Sequence, residues 1–533
     1  MNSLRNLDYP LQNLSSNQLF KQSRFYTTWS DNNDNVELTH SSILDGAGVV
    51  DGAGDWLTTL TFGQNFNQTL IPGTLPESIT NLSFGWNFDK NITVGVLPPA
   101  LDSLYLGHVY RRKIEPGALP ATLKTLRFYR VFEYGSPSYP PATTNEVDPL
   151  PQLPPSLTLL VLNKYFNRPI ELGYLPESIT HLEFGDNFNY PIPGGALPTS
   201  LKKISFGQYH ASPFVLPHGL AELIFFANYT TQGTKHVLSS FQALPTNLTD
   251  MNFYGKNPYF EVGWLPQSLR SLHIQSVIDP RAFPSSLTSL RLGYSPREGF
   301  TLPSSLTRLS FGTIVDRPIP PGVLPPGLKF LDLGWDYSIK HSIGQGFLPS
   351  ALLSLSLDDC SVPCTSYPPT KDVDDDIYHD DNAPIECDFL PNSITELTFG
   401  NIFNQPIIPG SLPPSIISLG FGSSFNQPIT GLLPISVTSL QFGAYFQQAI
   451  DCSYLINLQT LSMLHIDQLQ LIKNCHPHLE VDLWYLLDDS IYDGDLQAMA
   501  DDDKIVYQRM RSIHVDHMNE FVYKGWTIPH HSF

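Results

Sequence analysis

Apolar residues recur along this chain in a fixed phase of about 22 residues. Each unit opens on Leu-Pro. These pairs begin at Leu75, Leu97, Leu119, Leu153, Leu175, Leu197, Leu216, Leu244 and Leu265, with Phe283 in place of the next leucine, and then at Leu302, Leu324, Leu348, Leu390, Leu412 and Leu433. A Pro-x-Ser turn follows. Apolar residues then stand in a set phase: Ile79, Leu82, Phe84; Ile179, Leu182, Phe184; Leu306, Leu309, Phe311; Ile394, Leu397, Phe399. The last two of each set flank a polar residue, as in a strand buried on one face. Proline fixes its own φ and pushes the leucine before it towards an extended backbone. Glycine follows the phenylalanine (Gly85, Gly185, Gly312, Gly400) and is expected to let the chain turn sharply. A Phe-Asn-x-Pro-Ile segment then runs back, and its Phe and Ile can enter the core from the other side.

One such coil cannot fold alone. Each of its few buried side chains contributes roughly 1.5–3 kcal/mol, whereas ordering the backbone costs on the order of 1–2 kcal/mol per residue. Stacked neighbours must supply the rest through strand pairing and a shared core. The expected fold is a repeat solenoid of leucine-rich-repeat type: a parallel β-sheet of about 17–18 coils with little helix outside the caps.

The segments Phe166-Asn167-Arg168-Pro169-Ile170, Phe188-Asn189-Tyr190-Pro191-Ile192, Phe403-Asn404-Gln405-Pro406-Ile407 and Phe425-Asn426-Gln427-Pro428-Ile429 closely resemble the FNIP repeat, a relative of the leucine-rich repeat. The resemblance runs from about Trp56 to Ile450. It implies a protein-interaction solenoid, often found beside an F-box, and it implies no catalytic residues. No F-box is visible in residues 1–55, which departs from many relatives and weakens a ubiquitin-ligase reading.

Four regions follow along the chain. Residues 1–55 read as an N-terminal cap or leader, with Leu4, Leu7, Leu11 and Leu14 spaced for a short helix despite Pro10. Residues 56–450 are the repeats, with insertions at 134–151 and 365–388. Residues 451–484 read as a C-terminal cap, with a strand-like coil at Leu455–Met463, a helical Asp467–Asn474 and a last strand over Leu479–Trp484. Residues 485–533 hold an acidic stretch and then a predicted helix, Asp495–Tyr523, from the spacing of Leu496, Met499, Val506, Met510, Ile513 and Phe521.

The 47 prolines and 36 glycines recur at fixed offsets, so they read as turns rather than disorder. The net charge of −20 is uneven. Lys371–Asp388 has eight acids against one base, and Glu480–Asp503 has nine acids and no base. The remaining chain is nearly neutral and has no basic stripe, so nucleic-acid binding is not expected. No run of apolar residues is long enough to span a membrane. The first residues lack a secretory hydrophobic segment, and five cysteines in so long a chain fit a reducing compartment, so a cytoplasmic monomer is expected.

Site chemistry is sparse. Asp372-Val-Asp374-Asp-Asp376 begins like a calcium loop, but Ile377 and Ala383 stand where Gly and Glu are needed. Cys360, Cys364, His379 and Cys387 could be drawn together around zinc only through a long polar loop. The twin Asp-Gly-Ala-Gly at Asp45 and Asp51 lacks the strand and the GKS/T of a phosphate loop. His514-x-x-His517 and His530-His531 lack the spacing of a catalytic zinc helix. Neither a cofactor nor catalysis is expected.

The informative positions are those the repeat leaves free. Beside the buried strand leucine many coils carry Thr, Ser or Asn, as at Thr61, Ser83 and Thr398. Middle coils instead carry Tyr105, Arg127, His181, Glu183, Lys203, Glu222, His273, Arg291, Arg308 and Asp332. Residues at one strand position stack about 4.8 Å apart, which is expected to make Arg291 and Arg308 neighbours flanked by His273 and Asp332. Charged and aromatic ladders on a concave sheet are where solenoids bind partners. The expected function is a non-enzymatic scaffold or adaptor binding protein on that face. Structural or carbohydrate-binding use of the Thr/Ser coils, and recruitment to a ubiquitin ligase, are the alternatives. An enzyme of the parallel β-helix kind would need clustered acidic or basic residues from adjacent coils, and only the Arg291 neighbourhood comes close, without matching acids.

Overall fold

The computed structural model describes residues 29–31, 34–39, 58–128, 151–226, 244–357, 385–485 and 508–514, apart from short stretches inside those spans. The chain forms two compact units, Met1–Lys256 and Asn257–Phe533. In both, each coil contributes one short strand at the leucine predicted for it.

The first unit opens with an antiparallel hairpin, β1 (Trp29–Asp31) and β2 (Asp34–Thr39). β2 runs antiparallel to β3 (Thr59–Phe62), the first coil's strand. Then come β4 (Asn81–Ser83), β5 (Ser103–Leu106), β6 (Thr125–Phe128), β7 (Leu159–Val161), β8 (His181–Glu183), β9 (Lys203–Phe206), β10 (Glu222–Phe225) and β11 (Asp250–Phe253). From β3 onward each pairs in parallel with the next. The hairpin pairs along the edge of the first coil's strand. The helix expected near Leu4, the Asp-Gly-Ala-Gly pair and nearly all of the 134–151 insertion lie outside the described residues.

The second unit holds β12 (Ser271–Ile274), β13 (Ser289–Leu292), β14 (Arg308–Phe311), β15 (Phe330–Asp332), β16 (Ser354–Ser356), β17 (Glu396–Thr398), β18 (Ser418–Gly420) and β19 (Ser439–Gln441), all parallel. The cap follows. β20 (Ile450–Asp451) pairs with β22 (Ile472–Lys473) in a small separate sheet. β21 (Thr460–Met463) and β23 (Glu480–Tyr485) continue the main one. Ile466–Leu471 is a 3-10 helix, shorter than the helix expected over Asp467–Asn474.

The C-terminal helix expectation is overturned at its centre. Gln508–His514 is a strand, β24, antiparallel to β23 with Glu480 opposite His514. The apolar spacing there is near-helical, but the outer edge of β23 presents a row of backbone N–H and C=O groups. A strand satisfies that row and a helix does not. Pairing to the edge therefore overrides local periodicity.

The core is built from columns. The strand leucines and their equivalents, from Leu60 to Met251 and from Leu272 to Leu440, are no more than 2% exposed. Beside them run two interleaved phenylalanine columns, one from the strand and one from the Phe-Asn segment. Phe62 and Phe66 stack at 4.0 Å, Phe84 and Phe88 at 3.9 Å, and the columns repeat at 5.3 Å between Phe62 and Phe84. In the second unit Phe399, Phe421 and Phe442 form one column at 5.2 and 5.5 Å, and Phe403, Phe425 and Phe446 the other at 5.9 and 6.0 Å.

Polar ladders explain the recurring small polar residues of the unit. In the Pro-x-Ser turn the hydroxyl donates to a carbonyl of the preceding coil, as from Ser178 to Leu157 at 2.6 Å and from Ser415 to Ile394 at 2.6 Å. The asparagine of Phe-Asn accepts the backbone N–H of the matching residue one coil on. Asn67 Oδ1 takes Asp89 N at 3.0 Å, Asn167 Oδ1 takes Asn189 N at 2.9 Å and Asn404 Oδ1 takes Asn426 N at 2.9 Å. A turn outside the sheet would otherwise leave these donors without protein partners.

The glycine after the strand phenylalanine has a different role from the one expected. Gly85 does not adopt a positive φ. A Cβ there would lie 2.0 Å from the Gly63 carbonyl oxygen, and one at Gly185 would lie 2.1 Å from that of Asn163. Neighbouring backbones approach so closely that no side chain fits. In this column Gly334 does take a positive φ, +72°, but the left-handed turn recurs in another glycine column, before Leu-Pro, with φ of +79° at Gly73 and +81° at Gly410.

Candidate protein interface on the sheet face

In each strand the residues on either side of the buried leucine point away from the core and form two ladders. One ladder precedes the leucine and the other follows it. All nine charged or histidine candidates fall in these ladders, together with Tyr105. Tyr105, Arg127, His181, Arg291 and Arg308 are exposed, and Glu183, Lys203, Glu222, His273 and Asp332 are half-buried.

In the first unit Arg127 lies between Tyr105 and Val161 in the following ladder. Glu183 lies between Val161 and Ser205. In the preceding ladder His181, Lys203, Glu222 and Asp250 stand side by side. Lys203 Nζ meets Glu222 Oε1 at 2.9 Å, with both side chains about 30% exposed, so this pair satisfies itself. His181 Nδ1 shares a hydrogen bond with Thr180 Oγ1 at 2.8 Å. This face is not uniformly open: Ser205 is 2% exposed and Val161 is 5% exposed.

In the second unit the expected stack of Arg291 on Arg308 is corrected. Arg291 pairs with His273 on one side and Ser310 on the other. Arg308 is in the other ladder, between Ser289 and Phe330. Spacing between repeats does not say which of two outward positions a residue occupies, and Arg308 precedes its leucine whereas Arg291 follows its own. The two arginines are diagonal neighbours on adjacent strands. Asp332 is the diagonal neighbour of Arg308 on its other side and lies two strands from Arg291; its carboxylate accepts Ser310 Oγ at 2.8 Å and the Gly334 N–H at 3.0 Å. His273 is held neutral, its pKa lowered to about 4, first by burial and then by the Arg291 charge.

Two features had no place among the sequence candidates. The Arg308 guanidinium lies over the Phe330 ring, 4.2 Å from its centre. Phe330 takes a ladder position that about half of the coils fill with Ser or Thr and no other described coil fills with an aromatic residue, and that substitution was the available signal. On the Phe-Asn-x-Pro-Ile side, a shallow groove of about 470 Å³ is lined by Pro169, Ile170, Pro191, Ile192, Phe214 and Val215. Of the proposed zinc ligands only Cys387 is described, and it is exposed. Cys360, Cys364 and His379 and the calcium-like loop lie outside the described residues, as do His517, His530 and His531. Among the described residues no cluster of three or more His, Cys, Asp or Glu could hold a metal ion, and no helix is long and apolar enough to cross a membrane.

The repeating geometry above coincides with a known family. The FNIP Repeat model matches residues 55–87, 66–108, 88–130, 148–187, 166–209, 188–228, 257–295, 296–336, 316–360, 382–424 and 425–455. The chain belongs to the FNIP repeat family. Among solved structures it is similar to CroV588, described as a novel circular leucine-rich-repeat protein, at 32% identity over 77% of this chain and 59% of that one, with a TM-score of 0.49. It is also similar to the TLR13–ssRNA13 complex at 14% identity, over 74% of this chain and 64% of that one, with a TM-score of 0.44. The chain thus spans less than two thirds of the length of either. No curated protein matches it. The FNIP repeats here build a parallel β-solenoid related to the leucine-rich repeat, in which columns and ladders hold the coils together and the outward ladders vary freely.

Proposed function

We propose that this FNIP repeat chain is a non-enzymatic scaffold that binds protein partners on the outward face of its sheet. The observation that carries this reading is the pattern of exposed side chains there. The core columns and turn ladders account for the conserved phase of the repeat, yet they dictate neither outward ladder. Thr, Ser and Asn suffice for a solvated sheet, and several coils carry nothing else. Arg127, His181, Arg291 and Arg308 replace them in the middle coils, with Tyr105 and Phe330 beside them. Exposed arginine and aromatic side chains are the residue types that dominate binding energy at protein interfaces.

The test compares wild type with Arg291→Glu/Arg308→Glu in affinity capture from cell lysate, each checked by circular dichroism. Specific proteins lost from a folded double variant support the reading. An identical catch from both proteins overturns it for this face.

A further inference from the structure

The face of the second unit carries two arginines that form no ion pair among the described residues, with Asp332 diagonal to Arg308. Arg291 and Arg308 are both exposed, and neither has an acidic partner among the described residues. They lie on adjacent strands, offset by two residues, which puts their Cα atoms on the order of 8 Å apart from strand spacing and rise. Stacking on Phe330 engages the flat face of the Arg308 guanidinium and leaves its N–H edges free. Their other ladder neighbours are mainly serines: Ser289 and Ser310 directly, Ser271 and Ser354 one strand farther. Asp332 is turned to Ser310 and Gly334, and the half-buried His273 adds no charge at neutral pH. The first unit's Lys203–Glu222 pair shows the opposite case, a ladder cation already matched.

We infer that Arg291, Arg308 and Phe330 form a docking site for an extended acidic peptide segment of a partner protein, with carboxylates at alternate positions. This rests on the interface reading above and names its partner chemistry. In an extended peptide, side chains two residues apart lie on one face and about 6.6 Å apart. Flexible arginine stems bridge the small difference to the diagonal spacing. Each guanidinium offers a fork of donors that fits one carboxylate in two parallel hydrogen bonds. The half-buried Phe330 ring offers an apolar contact beside the acidic pair. Asp332, one strand beyond, repels acid on that side and so sets the direction in which the segment lies.

The test is fluorescence anisotropy of the full chain with a labelled ten-residue peptide carrying Glu at alternate positions and Thr between. A peptide with Gln in place of Glu, and one with Glu only at every fourth position, are the controls. The alternating peptide should bind about tenfold or more tightly than either control. Arg291→Gln and Arg308→Gln should each weaken it about tenfold, with Arg→Lys losing less because a point charge remains. Binding should weaken with added salt. Equal binding by wild type and both Gln variants, or by all three peptides, overturns the inference. If the peptide fails while proteins are still lost from Arg291→Glu/Arg308→Glu, the face binds partners of another chemistry and only this inference falls. If the lysate catch is unchanged as well, the interface reading falls with it.

Discussion

The side-chain oxygen of Asn404 accepts the backbone N–H of Asn426, its counterpart one coil later, at 2.9 Å. Asn404 Oδ1 also takes the Gln427 side-chain amide at 3.2 Å. Asn426 in turn accepts from Gln447 N at 2.9 Å. The asparagine of the family motif is therefore an acceptor that fastens each coil to the next outside the sheet. Asn404→Ala should destabilise the second unit by about 1–3 kcal/mol, because a part-buried donor loses its partner. Asn404→Asp keeps the acceptor and should cost less. Urea unfolding measures the difference, and faster amide exchange at Asn426 locates it.

The two glycine columns should respond differently to alanine. Gly85→Ala puts a methyl group into the Gly63 backbone, which cannot move without shifting a whole coil. Its cost should exceed the roughly 1–2 kcal/mol expected of Gly73→Ala, where space is open but φ is +79°. Gly73→Asn should restore part of the loss, since asparagine tolerates that backbone region, whereas Gly85→Asn should not. Thermal melting of the four variants separates the two causes.

Phe425 is fully buried, with Phe421 at 3.9 Å and Phe446 at 6.0 Å. Phe425→Ala should cost about 3–5 kcal/mol, and Phe425→Leu clearly less. Each coil rests only on its neighbours, so the loss should be local at first. Hydrogen exchange should rise in β18 and β19 before it rises in β12 and β13.

His273 makes the second unit acid-sensitive. Its folded pKa of about 4 lies below the unfolded 6.5, so the unfolded chain binds the proton more readily between those values. Stability contributed by the neutral ring is complete above about pH 6.5 and falls as pH drops towards 4. The full shift sets an upper bound of about 3 kcal/mol, reduced by the ring's partial exposure. His273→Gln should flatten this part of the pH–stability curve between pH 6.5 and 4, as followed by urea midpoints.

The strands were legible because burial repeats every coil at the same leucine. Leu82, Leu182, Leu309 and Leu397 all sit where the alternation puts them, and so do the outward residues beside them. The glycines were not, because a sharp turn and a close backbone approach both select glycine; only Gly85's distance to Gly63 tells them apart. The pairing of Arg291 with Arg308 failed for a related reason. Period counts coils, but the ladder is fixed by which side of the leucine a residue stands. The region around Met510 and Ile513 carries a helix-like pattern that edge pairing to β23 overrides, and no local signal reports that edge.

The gap from Leu119 to Leu153 is 34 residues and that from Leu348 to Leu390 is 42, yet Thr125 still faces Leu159 and Ser354 still faces Glu396. Strand pairing therefore ignores arc length. The sheet works like a toothed rail on which the slack of any one loop can be let out without moving the next tooth. New sequence can be trialled in one coil at little cost to the others, and the family can acquire surface while its architecture stays the same.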